Sequence, residues 1–348
     1  MPEMPMPRRT NWLANVLVKC LPIMAFVIPL SILYYLYPDT FEMTWEGRTY
    51  YLFFLWLMLL ETIMNWEELQ IERLRLTFVR TVFFAISFSL PTIYVVGANF
   101  WGWNEVLRQL AATNGIAFSD LMPLSIEYLV FAVLFVVITF VGYGITNLRN
   151  YSLTTVFLGA IGAIYTINNL YPYGHFTPFQ VLVPTTTILA AGVLNVMGYP
   201  TSINYIQNPQ YGSLPVLTAF DARGHSADFN IAWPCSGVES LIIYSVTMLL
   251  FLGHSAIPWR QRVVYFIFGA GITYIINVLR IVTIYTIALG GGSVTTFHDF
   301  YGQLYSISWI ISYPLLIIAS RTLWGKIMTW RAGLGQSPAV FPPKELSR

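Results

Sequence analysis

Three residues in this chain have the types that acyl transfer needs, and each stands near the boundary of an apolar run. Cys235 lies in "WPCSGVES" (233–240), where a polar stretch gives way to a long apolar one. Arg280 lies in "NVLRI", within the next apolar run, and His298 in "FHDFYGQ", just before the one after that. A thiolate attacks a carbonyl, and an imidazole within reach takes and returns the proton. A guanidinium in a water-excluded site supplies donors to the oxyanion of a tetrahedral intermediate. Pro234 is a helix-start signal, which places Cys235 at a helix N-terminus, where the dipole and free N–H groups favour the thiolate. Glu239 then falls one turn further along the same face. An arginine within a membrane span needs partners, because facing lipid costs it about 2.5 kcal/mol or more. Glu239 is the expected counter-ion of Arg280, and Asn277, three residues before Arg280, shares its face. Ser236 and Asp299 complete the supporting set; Asp299 is adjacent to His298, and adjacent helical residues do not face each other.

The elements that must position these groups are membrane helices. The chain has 348 residues, 56% hydrophobic and 10% charged, where a soluble domain carries about 25% charged residues. Mean hydropathy is +0.62. Eight stretches are long and apolar enough to cross, at 16–37, 50–64, 79–98, 124–146, 151–171, 234–253, 263–288 and 304–320. The first is too long for a cleaved signal segment and is read as an uncleaved span. With the N-terminus inside, eight crossings put 14 of the 18 lysines and arginines on the inner side and 3 on the outer, with Arg280 inside a span. That is a strong positive-inside bias.

A ninth stretch, 179–198, would cancel the bias if it crossed. It also carries a polar-to-small stripe (Gln180, Pro184, Thr187, Ala191, Asn195) on a helix otherwise built of Val, Leu and Ile. It is expected to lie in the outer interface or to dip in and return. The residues after it are rich in Pro, Gly, Asn and Tyr and read as turns and short strands; "DFNIAW" alternates Phe229, Ile231 and Trp233 in strand periodicity up to Pro234. The expected fold class is thus an all-α integral membrane bundle of about eight spans with both termini cytoplasmic, an outer interfacial helix and a small strand-like extracytoplasmic segment. The organisation is a five-span region (1–171), the extracytoplasmic segment (172–233), a three-span region carrying the reactive groups (234–320) and a cytoplasmic tail (321–348). Cys235, Arg280 and His298 then converge at the outer face.

Other readings fit less well. Basic residues form no stripe interleaved with exposed aromatics, so nucleic acid is not an expected partner. Cys235, His298, His225 and Asp228 match no compact ligand motif, so no metal is expected. His175, His225 and His254 read as solvated, and Cys20 as apolar filler. Under this topology Cys20 and Cys235 lie at opposite faces, roughly 30 Å apart, and cannot form a disulfide. No repeat or inverted pair of broken helices supports a transporter. A non-enzymatic scaffold, in which Arg280 and Glu239 only fix helix register, is the alternative.

"CSGVES" at the head of a span, "NVLRI" near the outer end of the next, "FHDFYGQ" before the last and "TPFQVLV…LNVMGYP" upstream resemble the exosortase/archaeosortase family, best over about 175–320. The N-terminal spans resemble it only in hydropathy. The resemblance implies a multi-pass membrane cysteine transpeptidase in the cytoplasmic membrane, of the archaeal branch. The catalytic cysteine, arginine and histidine map onto Cys235, Arg280 and His298. It implies substrate proteins with a C-terminal motif, transmembrane segment and basic tail, cleaved through a thioester and passed to a membrane lipid, with no cofactor. Glu239 departs from the basic or amide residue common there, and Pro234 from a small one.

Overall fold

The computed structural model describes residues 16, 19–67, 69, 78–116, 118, 119, 121–171, 177–208 and 212–334. Arg8, Arg9, Arg73, Arg75, His175, Lys344 and Arg348, which enter the charge tally or the histidine reading above, lie outside them, as does the end of the expected tail. The helices are α1 (Leu21–Leu36), α2 (Thr49–Met64), α3 (Phe78–Phe100), α4 (Trp103–Thr113), α5 (Met122–Tyr143), α6 (Ser152–Leu170), α7 (Val183–Val196), α8 (Val238–His254), α9 (Trp259–Leu289) and α10 (Leu304–Leu334), with short helical turns between. One antiparallel sheet, β1 (Thr201–Asn208), β2 (Gly212–Phe220) and β3 (Ser226–Asn230), runs in the order β1-β2-β3 between α7 and α8.

The chain is an all-α membrane bundle with a small sheet. Among the described residues, six segments are long and apolar enough to cross a bilayer, and α1, α2 and α8 are shorter apolar helices. The buried centre is aromatic: Tyr50, Tyr51, Phe54, Tyr128, Phe131 and Phe135 are almost wholly enclosed. Large apolar side chains such as Ile28, Leu52, Val133, Leu249 and Ile267 face outward. An outward-facing apolar surface of this kind marks contact with membrane rather than water.

Side-chain ties fix which helix ends lie together. The Tyr37 hydroxyl, just after α1, donates to Asn99 Oδ1 near the end of α3 at 2.8 Å. Arg48, just before α2, forms a bidentate pair with Glu127 near the start of α5, at 2.9 and 3.0 Å. The Asn168 amide near the end of α6 donates to Glu46 before α2. The Tyr50 hydroxyl in the first turn of α2 donates to Glu239 in the first turn of α8. At the other end, Asn65 after α2 donates to the Asn150 carbonyl before α6 at 2.9 Å.

The end of α6 and the start of α8 therefore lie at the same end of the bundle. The chain between them contains an apolar segment long enough to cross a bilayer, Pro178–Val196. Within it, the Thr186 hydroxyl of α7 donates to the Ser236 carbonyl and meets the Tyr274 hydroxyl of α9. Thr187 and Ala191 of the expected stripe are buried beside Thr186 and Ala190, and Ile188 and Leu189 point outward. The Tyr285 hydroxyl near the end of α9 donates to the Leu217 carbonyl of β2 and holds the sheet over that end.

Candidate functional site at the sheet end of the bundle

Cys235 sits in a 3-10 turn, Trp233–Ser236, and not in α8. Gly237 adopts φ +89°, a left-handed conformation that glycine accepts without a Cβ clash, and α8 begins only at Val238. A Cβ on Gly237 would also lie 2.8 Å from Asn277 Nδ2. That approach lets the Asn277 amide donate to the Cys235 carbonyl at 3.0 Å, tying the thiol-bearing turn to the helix that carries Arg280. Ser236 is fully buried and its hydroxyl donates to the Trp233 carbonyl at 2.8 Å, so it braces the turn.

Two expectations are corrected here. Because the helix breaks at Gly237, Glu239 is not one turn below Cys235 on a shared face. Burial pushes the Cys235 thiol upward from its ordinary value, and the Arg280 charge pulls it back. The turn lies outside the apolar helix Val238–Gly253, and desolvation of the thiolate outweighs the charge that favours it. Cys20 and Cys235 are both free thiols.

Arg280 is buried, yet its Nε, Nη1 and Nη2 are buried without a hydrogen-bond partner. The expected pairing with Glu239 does not form. Glu239 accepts instead from the Tyr50 hydroxyl and from Gln303 Nε2, each at 3.4 Å. The turn at Gly237 starts α8 on a phase that aims the carboxylate at α2 and α10. Asn277 Oδ1 and Trp233 Nε1 are likewise buried and unpartnered. A native interior rarely leaves this many polar atoms unsatisfied.

His298 stands in a π-helical turn, Phe297–Tyr301, next to that guanidinium. A Cβ on Gly302 would lie 2.8 Å from Arg280 Nε and 2.8 Å from the His298 carbonyl, so the missing side chain is what lets the two segments approach. His298 Nδ1 meets Asp299 Oδ1 at 2.9 Å. Adjacency thus does not keep Asp299 away from His298; the wide turn brings the carboxylate back onto the ring, which fixes the imidazole and leaves Nε2 for other chemistry.

No sequence signal pointed to the loop between α1 and α2. Thr44 and Trp45 donate their N–H groups to the Asp299 carbonyl at 2.7 and 3.1 Å. The Trp45 ring is 4.9 Å from the His298 ring and 6.0 Å from the Arg280 guanidinium carbon. Glu46 adopts φ 48°, a left-handed conformation disfavoured for a side chain of its size. Trp45, Glu46, Trp233, Pro234 and Glu239 line a small pocket beside the thiol turn. Such loops carry little periodicity, and only a fold that returns them to the site reveals them. His225, by contrast, is exposed and pairs with Asp221 at 2.9 Å in the β2–β3 turn. Among the described residues no three metal-ligating side chains come together.

A family model for transmembrane exosortases matches residues 96–314, more than half of the chain and all of α5 to α9, including Cys235, Arg280 and His298. No curated protein matches the chain, and no solved structure does.

Proposed function

The chain belongs to the transmembrane exosortase family, multi-pass membrane proteins that act in protein sorting, and from that premise we propose that it is a cysteine transpeptidase with Cys235, Arg280 and His298 as its reactive groups. Cys235 Sγ, giving its proton to the His298 imidazole, attacks the scissile carbonyl of a substrate at the extracytoplasmic face of the cytoplasmic membrane. Arg280 donates to the oxyanion that forms. His298 protonates the leaving amine as the C–N bond breaks, and a thioester remains. The imidazole then takes a proton from the acceptor nucleophile, whose attack breaks the C–S bond and regenerates the thiol. The substrates are surface proteins ending in a short motif, a transmembrane segment and a basic tail, and the acceptor is a membrane lipid.

The observation that carries this reading is the Arg280 guanidinium: buried, without a hydrogen-bond partner among the described residues, and close enough to Cys235 for its charge to act on the thiol. A charge is kept desolvated and unpaired only where something else completes it. A developing oxyanion does so in the transition state and not before, which is the condition for lowering a barrier. Asn277 supports it by holding the thiol turn on the same helix, and Asp299 by orienting the imidazole.

The test is co-expression with a surface protein from the same genome that ends in such a signal. The wild-type chain shortens the substrate, and Cys235→Ala leaves it at full length with the enzyme still present in the membrane. Undiminished shortening by the Cys235→Ala chain ends the proposal.

A further inference from the structure

A second cavity lies at the other end of the bundle, away from Cys235. It has a volume of about 390 Å³ and is walled by α2, α6, α8 and α10, within the range of roughly 300–1,000 Å³ typical of ligand sites. Its walls are apolar, with Leu57, Leu60, Leu250, Phe251, Pro314 and Ile318 among them. Along α10 the lining runs from Ile310 to Thr322, about 18 Å at the helical rise.

Two features say what it holds. Its mouth carries two exposed cations, Arg149 and Arg321, with Asn65, Asn150, Ser255 and Thr322 beside them. Arg321 Nη1 donates to Gln261 at 2.6 Å, and a guanidinium with five N–H donors retains others. Among the described residues Glu61 is the one acid in the lining, and its carboxylate is occupied, accepting the N–H groups of Leu153 and Thr154 at 2.8 and 3.0 Å. A long apolar slot with a cationic mouth matches a chain with an anionic head.

We propose that this cavity binds one acyl chain of an anionic phospholipid, with the phosphate held at the Arg149 and Arg321 end and the chain lying in the apolar slot. The charge at the mouth selects this occupant over a substrate transmembrane helix. A helix that ends in a basic tail would bring its own cations against both arginines. The site is separate from the chemistry at Cys235 and does not depend on it.

Native mass spectrometry of the full chain, delipidated in neutral detergent and titrated with phosphatidylglycerol (POPG) or phosphatidylcholine (POPC), tests this. One POPG is retained per chain, with a preference over POPC of about tenfold, as two arginines near an anionic headgroup provide. Arg321→Gln, at an exposed position, lowers that preference, and Leu250→Trp, which fills the slot, removes the retained lipid. Equal retention of the two lipids, or POPG retention unaffected by Leu250→Trp, overturns the proposal. So does equal binding of glycerol phosphate alone, or photocrosslinking of a substrate helix from a probe at Leu250.

Discussion

The Trp45 indole lies 4.9 Å from the His298 imidazole, centroid to centroid, and the Arg280 guanidinium sits 6.0 Å from the same indole. A loop near the N-terminus, outside the residues that match the family model, thereby bounds a site built from the C-terminal half. An aromatic contact of this kind is worth about 0.5–1.5 kcal/mol, or roughly twofold to tenfold in rate. Trp45→Ala is expected to slow substrate processing by that factor, and Trp45→Phe to keep most of it, at unchanged enzyme abundance on immunoblots. Equal rates for wild type and Trp45→Ala would show that the indole does not position the imidazole.

Burial, partly offset by Arg280, sets the reactivity of Cys235. In a Cys20→Ser background, labelling of Cys235 by a small maleimide is expected to be slow at neutral pH. It should still be rising at pH values where a free cysteine has levelled off, since the thiolate fraction lags when the thiol is pushed upward. Arg280→Met removes the opposing charge and shifts the labelling profile to still higher pH. A profile that levels off near neutrality contradicts this account of the thiol.

Arg280 separates enzyme from scaffold. If it is held for an oxyanion, Arg280→Met removes a donor worth about 10²–10³ in rate and relieves an unpaired buried charge. Processing should collapse while the thermal midpoint in detergent holds or rises. If the arginine only fixes helix register, the same substitution lowers the midpoint.

Arg48 and Glu127, with side chains only 10% and 6% exposed, anchor the loop that carries Trp45. Removing one partner of a buried pair costs about 3–5 kcal/mol, whereas replacing both with apolar groups of similar size is close to neutral. Glu127→Leu should therefore lower the thermal midpoint far more than the double variant Arg48→Met/Glu127→Leu. Additive losses in the double variant would rule out coupling between the two.

Gly237→Ala places a Cβ 2.8 Å from Asn277 Nδ2 at a residue with φ +89°. Its expected effect is loss of processing with a reduced midpoint. Adding Asn277→Ala removes the two closest atoms, leaving its Cβ at 3.1 Å, but not the strain, about 1–2 kcal/mol for a non-glycine residue, so the midpoint should recover in part. No recovery at all would place the whole cost in the backbone.

The sequence by itself determined the membrane class, the bundle and the small sheet before the thiol. These follow from hydropathy and charge placement, which act on each segment independently of its neighbours. It also singled out Cys235, Arg280 and His298, because a thiol at a segment boundary and a cation inside an apolar run are conspicuous in one dimension. Only the tertiary structure decided who partners whom. The left-handed turn at Gly237 rotates Glu239 away from Arg280 toward Tyr50 and Gln303, and the wide turn at His298 brings Asp299 onto the imidazole. Trp45 and Glu46 arrive from nearly two hundred residues upstream of the thiol. Hydrogen bonds and ring contacts depend on angles of a few tens of degrees and separations of a few ångströms, and those are set by how whole helices pack, not by the order in which residues follow one another.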